Sequence, residues 1–332
     1  MSARSRPIAA RAAHQRFAPC LLPFLLAFAT SPAIAAEPLP KSEAAAWLQR
    51  MADASRRLTY EGVFVVQSGG AMQTLFVANR AAGGAKESRL TAMDGVQREV
   101  RCTQTGSLSL VAEGGQLRME KRLNSRHFPD LLPVDATPLA NWYAVSLGDH
   151  ARVAGLDCRE IELTPRDGYR WGYVLCAEKN TALPLRAVMI NAGGQPLMQY
   201  SFAEIKLGAA PRMNPRVMPK VPESSRPILS ETVGVKSLPP GFNRITAVRR
   251  QLPNRPGEVE HWVFSDGLTH ISLFLEAAAR PVETVRGESK HGMINMLTRQ
   301  VGPMRATILG DAPWAAVEAI AMSLETRGGS ER

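Results

Sequence analysis

Cysteine is scarce in this chain, 4 among 332 residues, and no CxxC pair occurs, which excludes redox or zinc motifs built on that spacing. Other catalytic signatures are missing too. There is no GxSxG elbow, P-loop, GxGxxG or HExxH. The histidines, His14, His127, His150, His261, His270 and His291, stand at no metal-ligand spacing from one another or from cysteine. The expectation is a protein with no catalytic residues, no metal and no cofactor. After residue 36 no apolar run reaches membrane length, so no helical span is expected, and no internal repeat is visible.

What is present begins with a leader. Arg4, Arg6, Arg11 and Arg16 form a basic start, Leu21 to Ala29 a short apolar stretch, and a small-x-small pattern ends at Ala35 and Ala36. That is the pattern of a secretory signal peptide over residues 1–36, with cleavage near Ala35 and Ala36. The net charge of +10, less the four leader arginines, is +6 for the mature chain. An exported chain with that mild excess is not expected to meet nucleic acid; an acidic partner or anionic headgroups fit better.

Spacing then predicts a helix within Glu37 to Leu58, capped by Ser42, with Trp47, Leu48, Met51, Ala54 and Leu58 on one side. Strands are expected at 58–67, 73–79, 87–93, 96–103 and 107–112, separated by glycine pairs and by Asp94-Gly95. In the first of these Val63 to Val66 are apolar on both faces, which predicts cover on both sides. Such close spacing predicts an antiparallel meander. Residues 114–141 hold Pro129, Pro133 and Pro138 and read as an irregular loop.

The strongest pattern is a hairpin. One arm is RVAGLDCREIELT (152–164) and the other YRWGYVLCAE (169–178); Ile161 and Leu163 alternate with Glu160 and Glu162, and Trp171, Tyr173 and Leu175 share one face. A three-residue loop, Arg166 to Gly168, predicts that residue 163 faces 171, 161 faces 173 and Cys158 faces Cys176. Cys158 and Cys176 would then form a disulfide worth roughly 3 kcal/mol by loop closure, the alternative being two buried thiols. Glu160 and Glu162 read as a solvated face. Further strands are expected at 183–190 and 195–207. A curved sheet with one helix against it can leave an apolar concavity suited to acyl chains, and the lining candidates are Val63, Val65, Phe76, Ile161, Leu163, Trp171, Tyr173 and Leu175. Alternatively the helix and the proline-containing loop close the core.

Residues 208–227, rich in proline and basic side chains, read as an extended linker. Beyond it, strands are expected at 242–250, 258–264, 268–276, 293–301 and 304–310, with Asp266-Gly267 as a two-residue turn that brings His261 and His270 to its flanks. Asp311 near a cap and Pro313 in the first turn open a terminal helix carrying Trp314, Val317, Ile320, Ala321 and Leu324. The fold class expected is α+β. A strongly curved antiparallel sheet with a packed helix occupies 37–207, a smaller antiparallel sheet with a terminal helix occupies 228–325, and 326–332 form a disordered tail.

Several stretches, in order, resemble the MucB/RseB family. They are LTYEGVFVVQ (58–67), MDGVQREV (93–100), RVAGLDCREIEL (152–163), RDGYRWGYVL (166–175), LPLRAVMI (183–190), LPPGF (238–242) and SDGLTHISLFLE (265–276). The resemblance implies a periplasmic negative regulator of the sigma-E envelope-stress response. Its larger domain would be a half-barrel like those of LolA and LolB, sensing lipid or lipopolysaccharide. Its partner would be the periplasmic region of a single-span anti-sigma factor, shielded from proteolysis and contacted largely by the smaller domain. A homo-oligomer is compatible with this. The alternative is a LolA-like carrier of lipid or lipoprotein.

Overall fold

The computed structural model describes residues 37–82, 85–103, 106–113, 116–122, 126–208, 225–228, 232–252, 257–281, 283–288 and 293–327. The expected leader and most of the expected linker, 209–224, lie outside them. Among the described residues no helix is long and apolar enough to cross a membrane.

Helix α1 (Lys41–Arg57) precedes an eleven-stranded antiparallel sheet. Its strands are β1 (Tyr60–Ser68), β2 (Ala71–Ala82), β3 (Ala85–Ala92), β4 (Arg98–Thr103), β5 (Gly106–Glu113), β6 (Gln116–Arg122), β7 (Tyr143–Val153), β8 (Leu156–Pro165), β9 (Gly172–Glu178), β10 (Pro184–Ile190) and β11 (Pro196–Leu207), with a short helix α2 (Leu139–Trp142) before β7. Two meanders, β1 to β6 and β7 to β11, join where β1 pairs with β11, leaving β6 and β7 as the edges. Leu48, Met51, Ala52 and Ser55 recur at three- and four-residue spacing on the buried side of α1, so the helix lays one stripe on the sheet. Proline occupies the cap position at residue 40 and Ser42 lies inside the first turn, making no side-chain cap.

A second sheet follows. β12 (Ser225–Pro227), β14 (Asn243–Gln251), β15 (Glu258–Ser265), β16 (His270–Ala277), β17 (Val285–Glu288), β18 (Asn295–Val301) and β19 (Met304–Gly310) form seven strands, ordered β12-β14-β15-β16-β19-β18-β17. β13 (Val233–Val235) pairs separately with β20 (Leu324–Thr326), and α3 (Trp314–Ser323) packs on β18 and β19. Trp262, Phe264, Leu273, Ile308, Val317 and Ile320 form this sheet's own core. The α+β architecture is as expected from the strand spacing.

The differences are instructive. Residues 114–141 are not one irregular loop: 116–122 form β6, and the stretch from Phe128 to Ala140 lies across the first core. β7 escapes the pattern because Gly148 and Asp149 sit at a bulge between Leu147 and His150 that breaks the alternation. Ser225 to Pro227, expected in the linker, pair with β14, and Thr326, expected in the tail, pairs with Val233. The β15–β16 connection is four residues, since Ser265 pairs with His270. Asp311 does not cap α3; Pro313 holds that position, and Asp311 Oδ1 accepts the His270 N–H at 3.1 Å.

The β8–β9 hairpin keeps the expected parity but slips by two residues. Leu163 pairs with Tyr173 and Ile161 with Leu175, so the loop is six residues, Arg166 to Trp171. A shift of two leaves every side chain on its face, which is why the pattern alone cannot detect it.

Candidate functional site at the junction of the two sheets

That six-residue loop carries Arg170, the most deeply buried arginine among the described residues. Arg170 is fully buried, and so is the Asp266 carboxylate it meets. Its Nε donates to Asp266 Oδ2 at 2.8 Å, one terminal nitrogen donates to Asp167 Oδ2 in its own loop, and the other donates to the Pro240 carbonyl at 2.6 Å. The guanidinium also lies over Trp142 and Phe242, 5.4 and 5.3 Å from the ring centroids. A buried arginine is tolerated when its donors are satisfied in this way.

The loops around it are shaped by side-chain turns. Asp167 Oδ1 accepts the Tyr169 N–H at 3.0 Å, and Asp266 Oδ1 accepts the N–H groups of Leu268 and Thr269 at 2.9 and 2.8 Å. Two glycines let the backbones approach. Gly241 has φ +81° and a Cβ there would lie 2.4 Å from the Trp142 ring; Gly267 has φ +109° and a Cβ would lie 3.0 Å from Pro133. Arg126 donates to the Gly267 carbonyl. Apolar residues cross the junction in both directions: Leu268 from the second sheet is buried in the first core, with Met293 packed beside it, and Tyr169 from the first sheet packs on the second core.

Titratable groups gather here. Burial, with a smaller push from the Asp266 charge, raises the Asp311 carboxyl to about 7 against the pull of the His270 N–H. Burial and the neighbouring Arg126 lower His270 to about 4. Tyr143 and Tyr173 are both pushed up, chiefly by burial. The site can hold charge and protons in a dry setting. It contains no arrangement of nucleophile and base.

The expected cavity residues divide between two faces. Ile161, Leu163, Tyr173 and Leu175 are buried in the first core. Trp171 lies in the loop, half-buried against that core and off the strand. Val63, Val65 and Phe76 point the other way: Val63 pairs with Phe76, whereas their neighbours Phe64 and Leu75, also a pair, are the core residues. The doubly apolar run of β1 hid which parity was inside. Val63 and Val65 are half-buried, so the second face is less covered than expected.

The stretch from Phe128 to Ala140 packs into the first core beside Ile161, Leu163, Tyr173 and Leu175. Phe128 packs against Phe64, Tyr200 and Phe202 at centroid distances of 5.0 to 5.4 Å, and Leu132, Ala136, Leu139 and Ala140 continue the filling. A cleft of about 40 Å³ remains beside it, reached by Lys86, Leu90, Cys102, Arg126, Phe128 and Asp130. That is about a tenth of a ligand pocket and suits a few waters.

Cys158 and Cys176 are joined by a disulfide, with Cα atoms 5.5 Å apart. They are not directly opposed, as expected from the shorter loop. Cys158 pairs with Glu178 and Cys176 with Glu160, so the bridge runs diagonally. Burial pushes the remaining Cys102 thiol up. Glu160 ion-pairs with Arg186, and Glu162 lies 3.5 Å from Ser146. His261 stacks on Phe274 at 4.3 Å and does not face His270.

Arg170, Pro240, Trp142 and Leu268 were not singled out from the sequence, and Asp266 was read only as a turn residue. A usable signal was there: each of the turns 166–171, 238–242 and 265–268 carries a large apolar or aromatic residue beside its Gly, which an exposed turn has no need of. These three turns are also stretches that carry the family resemblance, and the fold brings them together. The MucB/RseB N-terminal domain family matches residues 43–224, and the MucB/RseB C-terminal domain family matches 230–325. The chain belongs to the MucB/RseB family.

Relatives agree along nearly the whole length. The chain is similar to the sigma factor AlgU regulatory protein MucB of Pseudomonas aeruginosa, 28% identical over 300 residues, covering 88% of this chain and 93% of that protein. It is 27% identical over 295 residues to the sigma-E factor regulatory protein RseB of Escherichia coli K12, covering 84% and 90%. A crystal structure of MucB in complex with MucA(peri) superposes with a TM-score of 0.69 at 27% identity, covering 86% of this chain and all of that one.

Proposed function

We propose that this chain is a periplasmic regulator of an envelope-stress sigma factor, acting by binding the periplasmic region of a single-span anti-sigma factor and not by catalysis. The observation that carries the reading is continuous similarity through both sheets to a protein solved with such a segment bound. The basic, then apolar, then small-residue pattern of residues 1–36 supports export. Binding shields the anti-sigma segment from proteolysis. The test mixes the mature chain with the periplasmic segment of the anti-sigma factor from the same organism. A complex at micromolar concentration that slows cleavage of the segment is expected; no complex at tens of micromolar would remove the reading.

The finer part of the proposal is that lipid or lipopolysaccharide releases the partner. It is supported by the apolar core enclosed between α1, the curved sheet and the 128–140 segment. Phe128 and its neighbours occupy that core, so a lipid chain entering there displaces them, and a ligand shifts the equilibrium only by its differential affinity for the displaced state. Adding lipopolysaccharide to the preformed complex tests this separately: release is expected, and indifference would remove the sensing part alone. A carrier function has less support, since the family match continues past the first sheet through the whole of the second, which a bare half-barrel carrier would not need.

A further inference from the structure

Among the described residues the two sheets share no strand pairing. The described residues that cross between them include the loops 126–142 and 166–171 from the first, 238–242 and 265–270 from the second, Met293, and Asp311, whose charge acts on Tyr173 and Tyr200. We infer that this junction is a latch, in which the Arg170–Asp266 pair holds the 265–269 loop as a stopper against the first core, and that the latch opens without unfolding either sheet.

Three observations carry this. First, Leu268 is 7% exposed and its partners are the residues of the first core, not those of the sheet that bears it. Parting the sheets therefore withdraws one apolar side chain from a core whose remaining members belong to one unit. Second, the charges are arranged to survive separation. Arg170 keeps Asp167, which is in its own loop, and Asp266 keeps the Leu268 and Thr269 N–H groups, so each charged group retains a partner on its own side while water replaces the rest. A pair with no such reserve would strand a buried charge on opening. Third, the close approaches at Gly241 against Trp142 and Gly267 against Pro133 are backbone-to-ring contacts that are either seated or not, which suits a two-position junction.

The consequence concerns access. Any molecule that reaches the first core from this end must first part Arg170 from Asp266. The inference requires neither the proposed partner nor the proposed lipid.

Hydrogen exchange read by mass spectrometry on the whole mature chain tests it, using Asp266→Asn and, separately, Leu268→Ser. Asparagine retains an acceptor for the Leu268 and Thr269 N–H groups, so the loop keeps its turn while the charge pair is lost. At least tenfold faster exchange is expected in peptides covering 126–142, 166–171 and 265–270, with β8 to β10 and β15, β16 and β19 unchanged. Exchange that is unaltered at the junction, or that rises throughout one whole sheet, would overturn the latch. So would an Asp266→Asn chain that does not fold, because the pair would then be a requirement of folding and not a releasable contact. Leu268→Ser is expected to accelerate 126–142 in the same manner; acceleration confined to the second sheet would show that Leu268 serves its own sheet and is no stopper.

Discussion

The two ends of one hairpin, β8 with β9, are held in opposite ways. At one end a disulfide links Cys158 to Cys176 across paired backbone, and the flanking Glu178 carboxylate accepts the N–H groups of Asn180 and Thr181 at 3.0 and 2.6 Å. At the other end pairing stops at Leu163 and Tyr173, and six residues leave the strand to place Arg170 against a different sheet. The first end is fixed by a bond that no equilibrium within the chain alters. The second is fixed by a desolvated ion pair whose strength depends on everything around it. A regulator that changes state has more use for the second kind.

Substitutions should separate these ends. The largest effect is expected at Arg170: alanine there removes the cation from a fully buried carboxylate, at a cost of about 3–5 kcal/mol in urea unfolding, and the transitions of the two sheets should cease to coincide. Replacing Cys158 and Cys176 together by alanine should cost about 3 kcal/mol through the freed unfolded chain, but the two sheets should still unfold together. If the cysteine pair uncouples the sheets and Arg170→Ala does not, the comparison is reversed.

Acidity probes the junction more finely. Asp311 has a folded-state value of about 7, above its ordinary 3.8, so its stabilising contribution is full below about pH 4 and is lost as pH rises toward 7. His270 has a folded-state value of about 4, below its ordinary 6.5, so its contribution is present above 6.5 and is lost as pH falls toward 4. Between pH 4 and 6.5 the two slopes oppose each other, and their sum should be small. Arg126 and Asp266 face His270; Asp266 and the His270 N–H face Asp311. Asp311→Asn should unmask the histidine, making stability fall relative to wild type on the order of 2 kcal/mol as pH drops through this window. Urea midpoints at a series of pH values check this; parallel profiles for variant and wild type would show that Asp311 does not titrate there. The smallest effect is expected at an exposed pair far from both ends: Arg80→Ala, which breaks the contact with Glu87, should change stability by no more than about 0.5 kcal/mol.

Alternation made the hairpin's faces legible, since Ile161, Leu163, Tyr173 and Leu175 do share the buried side. Its register was not, because a two-residue slip preserves parity and only the loop decides between the two. The same limit explains Val63, Val65 and Phe76: where both faces of a strand are apolar, spacing does not say which is inside. The order of strands on either side of residues 208–227 was readable from turn signals, whereas β6, β7 and the short pairs β12, β13, β17 and β20 were not, being polar, bulged or only a few residues long. The junction was hidden for a different reason. Arg170 and Asp266 are 96 positions apart, and nothing in either turn states that the other will cover it. Local pattern carries secondary structure; a contact between two loops is a property of the assembled sheets.

A double-mutant cycle between Arg170 and Asp266 tests most directly whether the sheets are coupled through this pair. Arg170→Met, Asp266→Asn and the combined variant are compared with wild type by urea unfolding. A coupling energy of at least about 1.5 kcal/mol is the predicted result; substitutions that add to within about 0.5 kcal/mol would contradict it.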